Sequence, residues 1–233
     1  MIVPNKIDEI NWLKYNILLS CIHASICSIL LIICVLRAPE MFKDPLSHAN
    51  HFNYALISFS TGYFLYDFNN CIQNSKSSTI AFLFHHIVVM AFFIHVLFYT
   101  RNIGYAIYGL SIEINSFFLH ARRVLRWYSP IFKSIYYNNL LKIFIDIGNY
   151  ITFILFRFGI VFVGLRALHI QRNRLNPIVH IFTVIATLAI GILNIVLFYR
   201  LVKNQIMRKL KIKQEKPIKD EILITDNQIL LPS

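Results

Sequence analysis

Six apolar runs, each separated from the next by a short polar stretch, occupy residues 16–36, 54–72, 80–99, 103–120, 141–165 and 178–201. About 20 residues of helix cross a ~30 Å hydrocarbon core, so the pattern predicts six transmembrane helices joined by short loops. The pair Asn176-Pro177 is a turn signal that opens the last helix. After residue 203 the chain becomes polar and Lys-rich, then mixed. The expected organisation is a cytosolic N-terminal segment (1–15), a six-span membrane domain (16–203) and a basic, disordered cytosolic tail (204–233). The first run follows Lys6, Asp8, Glu9 and Lys14 and is long enough to span, so it reads as a span rather than a cleavable signal.

Composition agrees. Of 233 residues, 57% are hydrophobic and the mean hydropathy is +0.58, above the ~45–50% apolar content of soluble domains. The net charge of +12 raises nucleic acid as a partner, but its distribution excludes that reading. The basic residues lie between apolar runs and in the tail, where anionic head groups sit. With both termini in the cytosol, sixteen Lys and Arg fall on the cytosolic side and six (Arg37, Lys43, Arg101, Arg166, Arg172, Arg174) on the other. Arg157 lies within the fifth run. The bias predicts cytosolic termini. Cys21, Cys27, Cys34 and Cys71 show no metal spacing and no disulfide framework; they read as small apolar fillers.

The apolar runs carry ionisable and polar groups, which are costly in hydrocarbon and mark a bundle interior or a cavity. In the second run Ser60, Tyr63, Asp67 and Asn70 are spaced 3, 4 and 3 and share one helix face. Glu113, Ser116 and His120 do the same in the fourth. Asp146, Asn149, Tyr150, Phe153 and Arg157 form a stripe in the fifth. His85 and His86 are adjacent, about 100° apart, so one can face an axis while the other faces a neighbouring helix. His95 is a further intramembrane histidine of the third run. Spans two to five thus bring polar side chains toward the cytosolic half. The expected cavity residues are Tyr63, Asp67, Glu113, Ser116, His120, Asp146, Asn149 and Arg157. His85 and His86 are the candidate catalytic pair. No H-E-x-x-H or E-x-x-H spacing occurs, and no metal is expected. No Gly/Pro-broken helix pair of the transporter type is present either.

Four segments carry a resemblance: TGYFLYDF at 61–68, FLFHHIVV at 82–89, EINSFFLHARRVLR at 113–126 and ILNIVLFYRLV at 192–202. In this order they resemble the TLC-domain family (TRAM, Lag, CLN type), and most of all its branch linked to plasma-membrane fluidity. The resemblance runs from about residue 16 to 203. It implies a six-helix barrel around a lipid-accessible cavity. In the ceramide synthases of that family a His pair matching His85 and His86 is linked to acyl transfer from acyl-CoA. Those enzymes also carry a later H-D-x-x-D motif. Here GLSIEINSFF stands at 109–118 with the single carboxylate Glu113, which counts against ceramide synthesis.

Two readings follow. In the first, the protein binds lipid or acyl chains, limits incorporation of polyunsaturated chains into phospholipids and so regulates membrane fluidity. In the second, it is an acyltransferase on acyl-CoA and an amine or lysophospholipid. One of His85 or His86 is then the general base, oriented by Asp67 or Asp146, with Glu113 holding a polar head. The resemblance leaves open whether the protein is catalytic. The expected partners are membrane phospholipids and fatty acyl chains or acyl-CoA, the last as co-substrate of the second reading, with no resident cofactor. The resemblance favours the plasma membrane over the endoplasmic reticulum. Residues Asp226 to Leu231 have the spacing of an acidic dileucine sorting signal, and the eight basic residues from Arg200 to Lys219 suit an anionic leaflet surface.

Overall fold

Long apolar stretches with few interior breakers close their backbone hydrogen bonds locally, as helix. Helix accounts for nearly all of the residues that the computed structural model describes, which are 6–42, 44–46, 50–74, 80–128 and 135–229; no strand occurs among them. Lys43, Lys76, Lys133, Leu230 and Leu231 lie outside the described residues, so the dileucine spacing is only half covered. The helices are α1 (Lys6–Arg37), α2 (His51–Asn74), α3 (Ile80–Tyr99), α4 (Ile103–Leu110), α5 (Glu113–Tyr128), α6 (Ile135–Phe153), α7 (Gly159–Ile170) and α8 (Pro177–Ile229). A π-helical turn, Ile154–Phe158, joins α6 to α7. The chain divides into two units, Met1–Gly191 and Ile192–Ser233, with the boundary inside α8.

Among the described residues, three helical stretches are long and apolar enough to cross a membrane: Ile10–Arg37, Asn139–Ile170 and Pro177–Met207. Leu83–Tyr99 is a shorter apolar helix. Their outer faces agree with a membrane setting. Ile29, Ile32 and Leu36 on α1, Phe144, Ile147 and Ile151 on α6, and Ile178, Ile181 and Ile185 on α8 are all exposed. A water-soluble monomer does not carry apolar surface of that extent. The protein is thus an all-helical membrane protein.

The fourth apolar run is broken. Residues 103–120 do not form one helix. The chain turns at Ser111 and Ile112, and α5 then runs on to Tyr128. The Ser111 hydroxyl donates to the Tyr108 carbonyl, a side-chain bond that competes with the helical ladder. Eight residues make α4 only ~12 Å long, too short to cross by itself. Instead α4 packs against α1, α2, α3 and α7, with Ile103, Gly104, Tyr105, Ala106, Ile107, Tyr108 and Leu110 all buried. A helix apolar on every side belongs inside. The core forms around it from Cys27, Leu31 and Cys34 of α1, Leu56, Ile57 and Phe64 of α2, and Met90, Phe93 and Val96 of α3.

In the second unit the helix continues to Ile229. Lys, Glu, Gln, Leu and Ile dominate 204–224, and all but Ile rank high as helix formers.

Positive φ at Thr100 and Asn102 turns the chain from α3 into α4. There Gly104 donates its N–H to the Pro45 carbonyl at 3.0 Å. A Cβ at Gly104 would fall on the Pro45 backbone. Gly104→Ala is therefore expected to push residues 44–46 off α4 and destabilise the protein by about 1–3 kcal/mol. Gly109→Ala, whose Cβ meets nothing within 4 Å, is the control. Equal melting temperatures for the two variants would refute this.

Candidate functional site

The polar face predicted on α2 points inward and divides between two neighbours. Toward α1, Asn70 donates to Asn16 Oδ1 at 2.7 Å and accepts from the Trp12 indole at 3.1 Å. The Tyr63 hydroxyl donates to Ser20 Oγ at 2.9 Å. Toward α3, Asp67 Oδ2 lies 3.0 Å from His86 Nε2. Both side chains are almost wholly buried, at 2% and 3% exposure, so the imidazole is fixed by a carboxylate away from bulk water. Phe64 meets the His86 ring edge-on at 5.5 Å.

The adjacent histidines diverge. The His85 ring stands nearly perpendicular to that of His86, with centroids 5.8 Å apart. His85 lines a cavity of about 90 Å³. The rest of that cavity is mostly apolar: Val88, Val89 and Phe92 of α3, Leu110 of α4, Ile160 and Leu168 of α7, and Ala186 and Ile190 of α8. His85 and Glu113 are its ionisable lining, beside the hydroxyls of Tyr105, Tyr108, Thr183 and Thr187. The lining thus suits an apolar segment with one polar end.

Behind Glu113 lies a buried network built on Asn115. Its Nδ2 donates to the Asn149 carbonyl (3.0 Å), Asn149 Oδ1 (3.1 Å) and Thr152 Oγ1 (3.0 Å). Its Oδ1 accepts from Arg157 Nε. Arg157 Nη2 donates to Ser116 Oγ at 3.2 Å, and the guanidinium lies over the Phe153 ring at 5.3 Å. Helix winding explains how one amide reaches both Asn149 and Arg157. Eight residues at about 100° each would leave them ~80° apart on an α-helix. The extra residue wound into the π turn removes about 100°, bringing Arg157 to within ~20° of Asn149.

Of the residues that sequence reasoning places here, Asp67 meets His86, Glu113 lines the cavity with His85, Tyr63 stacks on His23, and Ser116 and Asn149 join Arg157 in the network on Asn115. His120 lies one turn past Ser116, and its Nδ1 is buried without a hydrogen-bond partner among the described residues. Asp146 is elsewhere. It pairs with Arg122 Nε at 2.8 Å, so it does not orient either histidine. The two helices run antiparallel, and Asp146 meets α5 seven residues (~10 Å) beyond Asn115. It shares the face of Asn149 but not its depth. The His95 ring lies tilted against that of Tyr99 at the far end of α3, centroids 4.7 Å apart, away from the pair.

His23, Asn115 and Thr152 were missed. His23 stacks on Tyr63 at 3.8 Å, lies 3.9 Å from Glu113 Oε2 through Nδ1, and lies 3.2 Å from Cys27 Sγ through Nε2. Its signal was present: Asn16, Ser20, His23 and Cys27 are spaced 4, 3 and 4, one face of α1.

Residues 16–203 match the model of the TLC domain. TLC domain-containing protein 2 of Danio rerio is 32% identical over 220 residues, which cover 94% of this chain and 86% of that protein. TLC domain-containing protein 1 of Rattus norvegicus is 27% identical over 116 residues, 49% of this chain and 47% of the relative. TLC domain-containing protein 2 of Homo sapiens is 26% identical over 123 residues, 52% of this chain and 47% of the relative. No solved structure matches the chain.

Proposed function

Given that the chain belongs to the TLC-domain family, we propose that it is a six-span protein of the plasma membrane, rather than the endoplasmic reticulum, with both termini cytosolic and with α4 and α5 together making the fourth crossing. It binds lipid acyl chains in a barrel-like bundle and limits incorporation of polyunsaturated chains into phospholipids, which sets membrane fluidity. The observation that carries this reading is the apolar cavity with His85 and Glu113 on its wall. An acyl chain fits such a lining, and its ester or acid group fits the two ionisable side chains. Membrane phospholipids and fatty acyl chains are the partners, and no resident cofactor is invoked.

One observation favours a second reading. The buried Asp67–His86 pair is an imidazole oriented by a carboxylate, the arrangement a general base needs. With acyl-CoA as co-substrate, His86 would take a proton from an amine or lysophospholipid acceptor as the acyl group leaves the thioester. His85 would meet the acyl group in the cavity.

The cavity reading is tested by filling the cavity. A Cβ at Gly164 lies 3.9 Å from Thr187, so Gly164→Ala is accommodated, whereas Gly164→Phe projects a ring into the cavity. Cells fed a polyunsaturated fatty acid and expressing each protein at equal level are profiled for phospholipid acyl chains. The native chain and Gly164→Ala are expected to lower polyunsaturated incorporation, and Gly164→Phe to match cells without the protein. Equal profiles from Gly164→Phe and the native chain would overturn the cavity reading.

A further inference from the structure

Away from the cavity, a second concave site lies where α1 and α5 pack. It has a volume of about 350 Å³ and is lined by Leu13 and Ile17 of α1 and by Arg123, Arg126 and Trp127 of α5. We propose that this is a phosphate-ester site that takes the head group of an anionic phospholipid.

Arg122, Arg123 and Arg126 are crowded into the last turns of α5. Like charges three residues apart on a helix repel. The Asp146 carboxylate is paired with Arg122. Arg123 has no ion-pair partner among the residues whose side chains are described. The site therefore presents excess positive charge that an anion would relieve. Arg126 donates its Nε to the Arg122 carbonyl at 3.3 Å, which fixes the start of its guanidinium. The Arg123 guanidinium can fork onto phosphate oxygens, for which Arg is better shaped than Lys, and the Arg126 charge one turn away, ~5–6 Å between Cβ atoms, adds to the field an anion meets. Leu13 and Ile17 offer an apolar floor for the start of a lipid tail. Trp127 is the residue type that settles at the membrane–water interface. The site is separate from the cavity: ten residues of α5, ~15 Å, lie between Glu113 and Arg123.

The two tryptophans allow a direct test. Trp12→Phe leaves Trp127 as the sole indole. In that background, Trp127 emission is read in phosphatidylcholine nanodiscs containing head-group-spin-labelled lipid, either anionic or zwitterionic. The anionic label is expected to quench at least two-fold more, and Arg123→Gln/Arg126→Gln to abolish the preference without lowering the melting temperature. A second arm adds pyrophosphate to the detergent-solubilised protein. A change in emission there that Arg123→Gln/Arg126→Gln removes, with no lipid preference in nanodiscs, keeps the phosphate site but assigns it a soluble occupant. Equal quenching by both labels together with no response to pyrophosphate overturns the proposal.

Discussion

Asn115→Leu is expected to destabilise the protein by about 3–5 kcal/mol, the cost of leaving a buried charge without its partner. Asn115 is fully buried. Its amide accepts from the Arg157 guanidinium while donating to Asn149 and Thr152. Leucine fills a similar volume, so the loss isolates hydrogen bonding from packing. What remains is a guanidinium that is 8% exposed and short of an acceptor in a low-dielectric interior. At ~2–4 °C per kcal/mol for a chain of this size, melting should fall by roughly 6–20 °C. The second arm fixes the cause. Arg157→Met removes the charge itself, so Asn115→Leu/Arg157→Met should melt above Asn115→Leu alone. If Arg157→Met lowers stability further in that background, the guanidinium is held by other contacts and the account given for Asn115 is wrong.

The second large effect concerns His86. In acyl transfer from acyl-CoA by the purified protein, His86→Gln is expected to lower turnover by about 10²–10⁴-fold, the usual loss with a general base. Glutamine keeps a donor for the Asp67 carboxylate, so the buried acid is not orphaned and folding is preserved. Asp67→Asn should cost less, since the imidazole stays in place but its charged form loses support. Binding of acyl-CoA is expected to survive in both variants. A native protein that binds acyl-CoA and turns over no acceptor would put the protein in the acyl-binding class. The Asp67–His86 pair is then an interhelical tie, and His86→Gln should leave the phospholipid profile of cells unchanged.

Much of this arrangement was legible in the residues, because hydrocarbon makes each polar side chain expensive. The Asp67 face of α2 and the divergence of His85 from His86 follow from helical spacing alone. Depth across two helices does not. Asp146 and Asn149 share a face, yet one meets Arg122 and the other Asn115, and only the antiparallel pairing of α5 with α6 separates them. Asn115 itself stood two residues from Glu113, off the stripe formed by Glu113, Ser116 and His120. A single-face reading therefore passed over it. The break at Ser111 and Ile112 was hidden because apolar character runs through it without interruption. Hydropathy reports burial, in lipid or in protein, and cannot say which; α4 is the case where protein supplies the burial.

The π turn between α6 and α7 gives chain length a meaning here that composition does not carry. A lipid-facing helix elsewhere in the molecule tolerates exchange among Ile, Leu, Val and Phe. At 154–158 the count of residues sets the phase of everything downstream. Deleting one residue would restore a plain α-helix and turn Arg157, Gly164 and Leu168 together by about 100°, away from Asn115 and the cavity wall. In a comparison of related chains, a one-residue gap at this place is thus a change of site, equal in weight to replacing Arg157. Conversely, a relative that keeps the extra residue while varying every side chain around it has kept the phase on which the site depends.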